Sequence, residues 1–336
     1  MDSLSQLALG AAVGVAVMGR RTAPWKAALW GGLCGTLPDL DVFIDHGDPI
    51  RDMTLHRAHS HGLTWLTLAA PPIAWLAARV HGERAAFRRW WLALWLALVT
   101  HPLLDTMTVY GTQLAQPFSD HPFGLGSVFI IDPAYTLPLV VGVIAALRLP
   151  AARGLRWSRV GLLLSTLYLG WGLVAQHQVR GVAERALAAQ GIVAERVLVT
   201  PTPFNSVLWR VVAMTPDGYH EGFRSLLDDG DTMRFDRFDR GTPLYQALAR
   251  QWAVVDIARF SRGFFALAHR GERVTITDLR MGLEPAYVFS FEVAERHGDG
   301  WRALAPTEQV GFRGDVGRGL DWLWRRALGA DLPPPR

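Results

Sequence analysis

Apolar residues in the first half of the chain gather into six runs, at about 7–18, 27–37, 62–80, 90–104, 134–149 and 160–176. Most fall below the ~20 residues that cross a bilayer upright, and the first two are short enough to suit a re-entrant or protein-buried helical hairpin. The first run has no basic stretch before it and no small-residue cleavage site before Arg20, which argues against a cleaved secretory signal. After about residue 177 the pattern changes. Val207 to Met214, Arg273 to Leu279 and Ala286 to Val293 alternate as strands do, residues 242–260 and 315–328 read as amphipathic helices, and Asp217-Gly218 marks a turn. The pattern predicts a mainly α-helical membrane domain of about six short hydrophobic helices over residues 1–177. A smaller soluble α+β domain over 178–332 and a disordered proline-rich tail over 333–336 follow.

Four polar signatures interrupt the apolar half, each at the edge of a run: Pro38-Asp39-Leu40-Asp41, His56-Arg57-Ala58-His59-Ser60-His61, His101-Pro102-Leu103-Leu104-Asp105 and Ile131-Asp132-Pro133. Ionisable groups in such a setting are costly and mark function by default. Imidazole and carboxylate are also the nitrogen and oxygen donors of zinc, manganese and iron sites. His101 and Asp105, four residues apart near a helix end, project from one face. Pro102 requires a kink or a fresh start there, and Pro38 ends any helix reaching Leu37. Either His56 with His59 or His59 with His61 converges, depending on whether the stretch is helical or extended. A carboxylate pair at a helix end also serves as a cap, and a His and Asp pair can be a surface hydrogen bond. Three histidines in six residues, with the other signatures, favour ligation. The histidines at 46, 81, 121, 177, 220, 269 and 297 have no such company, and Asp228, Asp229 and Asp231 read as a solvated turn.

Half of the 336 residues are hydrophobic and 19% are charged, a balance that separates a membrane part from a soluble part. The net charge of +4 does not imply a nucleic-acid partner, because the arginines of the first half lie in short connections. Arg20, Arg21 and Lys26, then Arg79, Arg84, Arg88 and Arg89, then Arg148, Arg153, Arg156 and Arg159 follow the first, third and fifth runs. The positive-inside rule places those connections in the cytoplasm. Residues 38–61 carry five aspartates against two arginines, and 105–133 carry no lysine or arginine. All four signatures and the C-terminal domain are therefore expected on the outer face of the membrane. The single cysteine, Cys34, permits neither an internal disulfide nor a thiolate metal site.

The order Met1-Asp2-Ser3-Leu4-Ser5-Gln6, Leu9-Gly10-Ala11-Ala12-Val13-Gly14, the four signatures, Tyr110-Gly111-Thr112-Gln113, Pro117-Phe118 and Thr200-Pro201-Thr202-Pro203-Phe204-Asn205 resembles the YdjM-like (DUF457) bacterial inner-membrane family, described as metal-dependent hydrolases. The resemblance covers most of the chain. It implies a polar set of Gln6, Asp39, Asp41, His56, Arg57, Ser60, His61, His101, Asp105 and Asp132. His59 departs from the family, which has an aromatic there, and so ranks below His56 and His61; Gln6 ranks as a weaker ligand. The expected metal group is thus Asp39, Asp41, His56, His61, His101 and Asp105, with Gln6 and His59 secondary, holding one or two zinc, manganese or iron ions. Arg57 is expected to hold an anionic oxygen and Asp132 to orient a ligand or act as base. The expected activity is hydrolysis of an amphiphilic lipid or cell-envelope substrate, with membrane lipids as neighbours. A structural cluster without catalysis and a transporter are the alternatives.

Overall fold

The structure is a computed structural model and describes residues 1–311 and 314–336. The chain forms two compact units. One consists of Met1–Ile44, Arg57–Leu173 and Pro203–Asn205, the other of Asp45–His56, Val174–Thr202 and Ser206–Arg336.

The first unit is helical. Asp2 opens α1 (Ser3–Met18) by accepting from the Leu4 and Ser5 amides, and Pro24 sets the first turn of α2 (Pro24–Thr36). As Pro38 predicts, α2 stops at Thr36, and the chain tightens into a 3-10 turn over Leu37–Phe43. The chain leaves the unit for α3 (Pro49–Leu55) and returns through a second 3-10 turn, His59–His61, into α4 (Leu63–Val80). The remaining helices are α5 (Phe87–Thr106), α6 (Pro133–Arg148) and α7 (Ala151–Ala189), of which residues to Leu173 belong here. Each of the six apolar runs becomes a helix. Among the described residues, however, only α4 and α7 are long and apolar enough to cross a membrane. The expected six reduce to two by that measure, because α1, α2 and α6 have 13 to 16 residues and α5 carries Arg88, Arg89, His101 and Asp105.

Glycines join α1 to α2. A Cβ on Gly10 would lie 2.2 Å from the Gly31 carbonyl oxygen, and one on Gly35 would lie 2.5 Å from that of Gln6. The Gly10/Gly14 and Gly31/Gly35 spacing lets the two backbones touch, as small residues do between membrane helices. Alanines, Trp90, Leu94 and Leu98 fill the interior. Outward, Leu137, Val141 and Ile144 on α6 and Leu163, Leu167 and Trp171 on α7 form exposed apolar stripes.

The second unit is rich in sheet. Strands β1 (Arg196–Pro201), β2 (Leu208–Met214), β3 (Gly218–Ser225) and β4 (Asp236–Asp239) form an antiparallel sheet in chain order. The β2–β3 connection falls at Asp217-Gly218, with Met214 opposite Tyr219. The expected 242–260 helix is two helices, α8 (Thr242–Leu248) and α9 (Trp252–Phe260). Next come β5 (Phe265–Arg270), β6 (Arg273–Asp278), the short pair β7 (Gly282–Leu283) and β8 (Ala286–Tyr287), β9 (Ser290–His297) and β10 (Gly300–Gln309). The second large sheet has the order β10-β9-β6-β5. The strand expected over 286–293 is divided between β8 and β9. Helix α10 (Val316–Ala327) packs Trp322 edge-on against Phe223, 4.9 Å between ring centres. Asp48, which caps α3, accepts from the Thr307 amide at 2.8 Å and its hydroxyl at 2.9 Å.

Candidate metal centre

Four side chains of the helical unit converge. Asp39 comes from the 3-10 turn after α2, His61 from the turn before α4, and His101 and Asp105 from one face of α5. One ligand atom from each lies within 4.8 Å of all the others. The helix runs through Pro102, and the His101 carbonyl beside it accepts from Gln6 Nε2 at 3.2 Å. Two fixed points set the return loop. The Arg57 amide donates to Asp41 Oδ2 at 2.9 Å, and the Arg57 carbonyl accepts from the Gln113 amide at 3.0 Å. Arg57 itself has φ 65°, a left-handed conformation that costs a non-glycine residue about 1–3 kcal/mol and concentrates at functional sites.

The donor set has the dimensions of a tetrahedral cation shell. With bonds of about 2.0–2.1 Å the ligand atoms of such a shell stand about 3.3 Å apart. Here the two Nε2 atoms are 3.0 Å apart. Each lies 3.4 Å from Asp39 Oδ1 and 3.3 Å from Asp105 Oδ2. The other ring nitrogens are committed outward. His101 Nδ1 donates to the Gly35 carbonyl at 2.6 Å. The Ser60 hydroxyl donates to Asp41 Oδ2, so its oxygen accepts from His61 Nδ1 at 2.8 Å. This network assigns a lone pair to each Nε2, as outer partners of metal-binding histidines do. Two lone pairs facing each other at 3.0 Å call for a proton or a metal cation between them. Asp39 Oδ1 and Asp105 Oδ2, both buried, accept no hydrogen bond, a state that buried carboxylate oxygens rarely keep. The residues present therefore fit a divalent cation.

Charges follow the same geometry. Burial alone would depress the His61 imidazole, but the carboxylates of Asp105, Asp39 and Asp41 push it up to about 9. Burial would raise Asp39, yet His101 and His61 hold it well below the usual carboxylate range. Behind Asp105, Gln6 Nε2 donates to its Oδ1 at 3.0 Å, and the Met1 amino group donates to the same oxygen. Arg57, 5% exposed, brings Nε to 3.4 Å from Asp105 Oδ2 and lies over the Tyr110 ring at 4.9 Å. Its Nε and Nη1 donate no hydrogen bond.

Of the expected ligands, the structure brings together Asp39, His61, His101 and Asp105. Asp41 sits one step behind His61, and Gln6 one step behind Asp105. His56 closes α3 within the other unit, and His59 is exposed; neither is in the four-residue group. A 3-10 turn advances 120° per residue, so only one imidazole of His59-Ser60-His61 can face inward. Asp132 caps α6, accepting from the Ala134 amide at 3.0 Å and the Tyr168 hydroxyl at 2.7 Å. The expected solvated turn leaves Asp229 and Asp231 exposed, Asp231 pairing with Arg185 at the surface, while Asp228 is half-buried against Arg326. The Gly35 carbonyl escaped sequence reasoning, since a backbone acceptor carries no motif, and Tyr110 entered only within the resembling run Tyr110-Gly111-Thr112-Gln113, with no role assigned to its ring.

A helical unit with apolar outer stripes and a buried His and Asp group that could hold a metal defines a membrane-associated protein with a candidate metal site. The chain belongs to the family of YdjM inner membrane proteins, which matches residues 1–179. It is also similar to the uncharacterized protein YfhP of Bacillus subtilis strain 168, at 26% identity over 71% of this chain and 72% of that protein. No solved structure matches.

Proposed function

We propose that the protein is a metal-dependent hydrolase of the bacterial inner membrane that acts on an amphiphilic phosphoester. One observation carries this reading: Arg57 is buried against the cation group with two donors unspent. Buried guanidinium donors that make no hydrogen bond are costly even beside the Asp105 carboxylate, and the planar fork matches a phosphate or carboxylate. Asp39, His61, His101 and Asp105 would hold a cation of the zinc, manganese or iron class, which would supply Lewis acidity and acidify a water. Arg57 receives the anionic oxygens of the substrate, while Tyr110 and the Asp41 contact fix the arginine's position. Asp39, the least buried of the four with 18% of its side chain exposed, is the edge at which water and substrate enter. Gln6 and Ser60 orient the ligands, and Asp132 secures α6. The exposed stripes on α6 and α7 suit lipid contact. Residues 1–177 are proposed to lie in the membrane as several passes built from the six apolar helices. The cation group and residues 178–332 are placed on the outer side, because the arginine-bearing connections belong in the cytoplasm.

The four-donor shell and its depth favour a second reading, a closed structural site. Metal analysis of the detergent-purified protein separates the two when joined to hydrolysis assays on dihexanoyl phosphatidic acid and bis-p-nitrophenyl phosphate. The hydrolase reading expects stoichiometric metal, lost in His61→Ala/His101→Ala. Arg57→Gln is expected to keep its metal and lose hydrolysis at least about 100-fold. Full metal with no turnover would favour the structural site. A wild-type protein that stays metal-free in added zinc and manganese would sink both.

A further inference from the structure

A second charged feature of the helical unit lies at the far end of α1 from the cation group. A cleft of about 590 Å³ opens between the turn that follows α1 and the first half of α7. Arg20 and Arg21 line one side, and Arg156 and Arg159, three apart on one face of α7, line the other. Among the described residues no carboxylate lies in ion-pair range of any of these four arginines. The wall continues along α7 as Leu155 and Leu163, the latter 58% exposed. Gln6 and Gly19 stand 13 residues apart on α1, about 20 Å at helical rise, so the cleft is separate from the cation group.

We propose that this cleft binds the headgroup of an anionic glycerophospholipid, with an acyl chain along Leu155 and Leu163. Orientation of the membrane asks only for positive charge in the connections. It does not ask that four guanidinium groups from two helix ends converge on one concavity with no acid between them. Four unpaired cations select a phosphodiester over a zwitterion by charge, and the adjoining leucines select a lipid over a free anion. Basic pockets between helices at a membrane surface recognise lipid headgroups in this way.

The test uses the full chain in uncharged detergent, with thermal stabilisation and native mass spectrometry as readouts. Dihexanoyl phosphatidylglycerol, dihexanoyl phosphatidylcholine, glycerol phosphate and inorganic phosphate are titrated in parallel. Saturable stabilisation by phosphatidylglycerol is expected, at least about tenfold tighter than by the other three, and weakened by salt. Arg156→Gln/Arg159→Gln and, separately, Arg20→Gln/Arg21→Gln are each expected to weaken that binding about tenfold or more. Their lipid-free melting temperature and metal content should stay at wild-type levels; a pair that fails this control is read from the other pair and the four-ligand comparison. Equal binding of phosphatidylcholine, equal binding of inorganic phosphate, or unaltered binding by both folded double variants would overturn the proposal.

Discussion

Arg57 shapes the candidate site through both its backbone and its side chain. Its left-handed backbone turns the chain so that His61 enters the helical unit, and its side chain supplies the idle donors beside Asp105. This is also why the sequence could not choose among His56, His59 and His61. A positive φ at a non-glycine residue leaves no compositional trace, whereas the His101 and Asp105 pairing follows from helical spacing alone. His61 makes a pH prediction. Its imidazole, at about 9 without metal, keeps a proton at neutral pH, and that proton must leave before Nε2 can ligate. Metal affinity measured by competition with a chelator should rise about tenfold per pH unit up to about pH 9 and then level off. In the metal-free protein the sign reverses: a raised pKa contributes stability that is present below about 6.5 and is lost as pH climbs through 9. An affinity flat from pH 6.5 to 9 would remove His61 from the ligand set.

At the scale of elements, the paired glycines of α1 and α2 set how closely the helix holding Gln6 approaches the one that presents Asp39 and the Gly35 carbonyl. Gly10→Ala would press a methyl into the Gly31 carbonyl and should destabilise by about 1–3 kcal/mol. Gly170→Ala on α7, where nothing lies within 4 Å, should be neutral or stabilising by up to about 1 kcal/mol. Thermal unfolding of the two variants in detergent compares them directly. The pairing of the first two runs as a helical hairpin was expected from their short length, whereas the Gly10/Gly14 and Gly31/Gly35 contacts that join them emerge only in the structure. The break between α8 and α9 was not legible in the sequence: three residues shift the helical phase by only about 60°, so the amphipathic pattern continues across it. Strand β10 was hidden because most of it is exposed and no apolar alternation marks it. Helix α3 is seven residues long and announces itself only through Asp48 and Pro49.

For the molecule as a whole, the shift in composition near residue 177 foretold a helical part followed by a part rich in sheet, and that order holds. What composition did not disclose is that Asp45–His56 leaves the helical unit to join the other, since membership depends on contacts such as Asp48 with Thr307. The two units should also answer acid differently. In the sheet unit burial would raise Asp228, but the double contact from Arg326, with both distances 2.6 Å, holds its carboxyl below the usual range. A depressed pKa gives stability that is present above about 3.9 and is lost as pH falls through the folded value. Arg326→Met should therefore destabilise the sheet unit at pH 7, and its deficit against wild type should shrink toward pH 3. A pH-independent deficit would trace the effect to packing of the arginine stem instead.

The ligands are spaced widely along the chain, and that spacing has a mechanical consequence. A cation held by residues 39, 61, 101 and 105 would cross-link three stretches of polypeptide, closing one loop of about 20 residues and another of about 40. Staples of this kind act by shrinking the unfolded ensemble. The shorter loop contains the whole excursion 45–56, which belongs to the other unit, so a bound ion would pin the two ends of that excursion. Metal occupancy would thereby tie the chain's departure from the helical unit to its return.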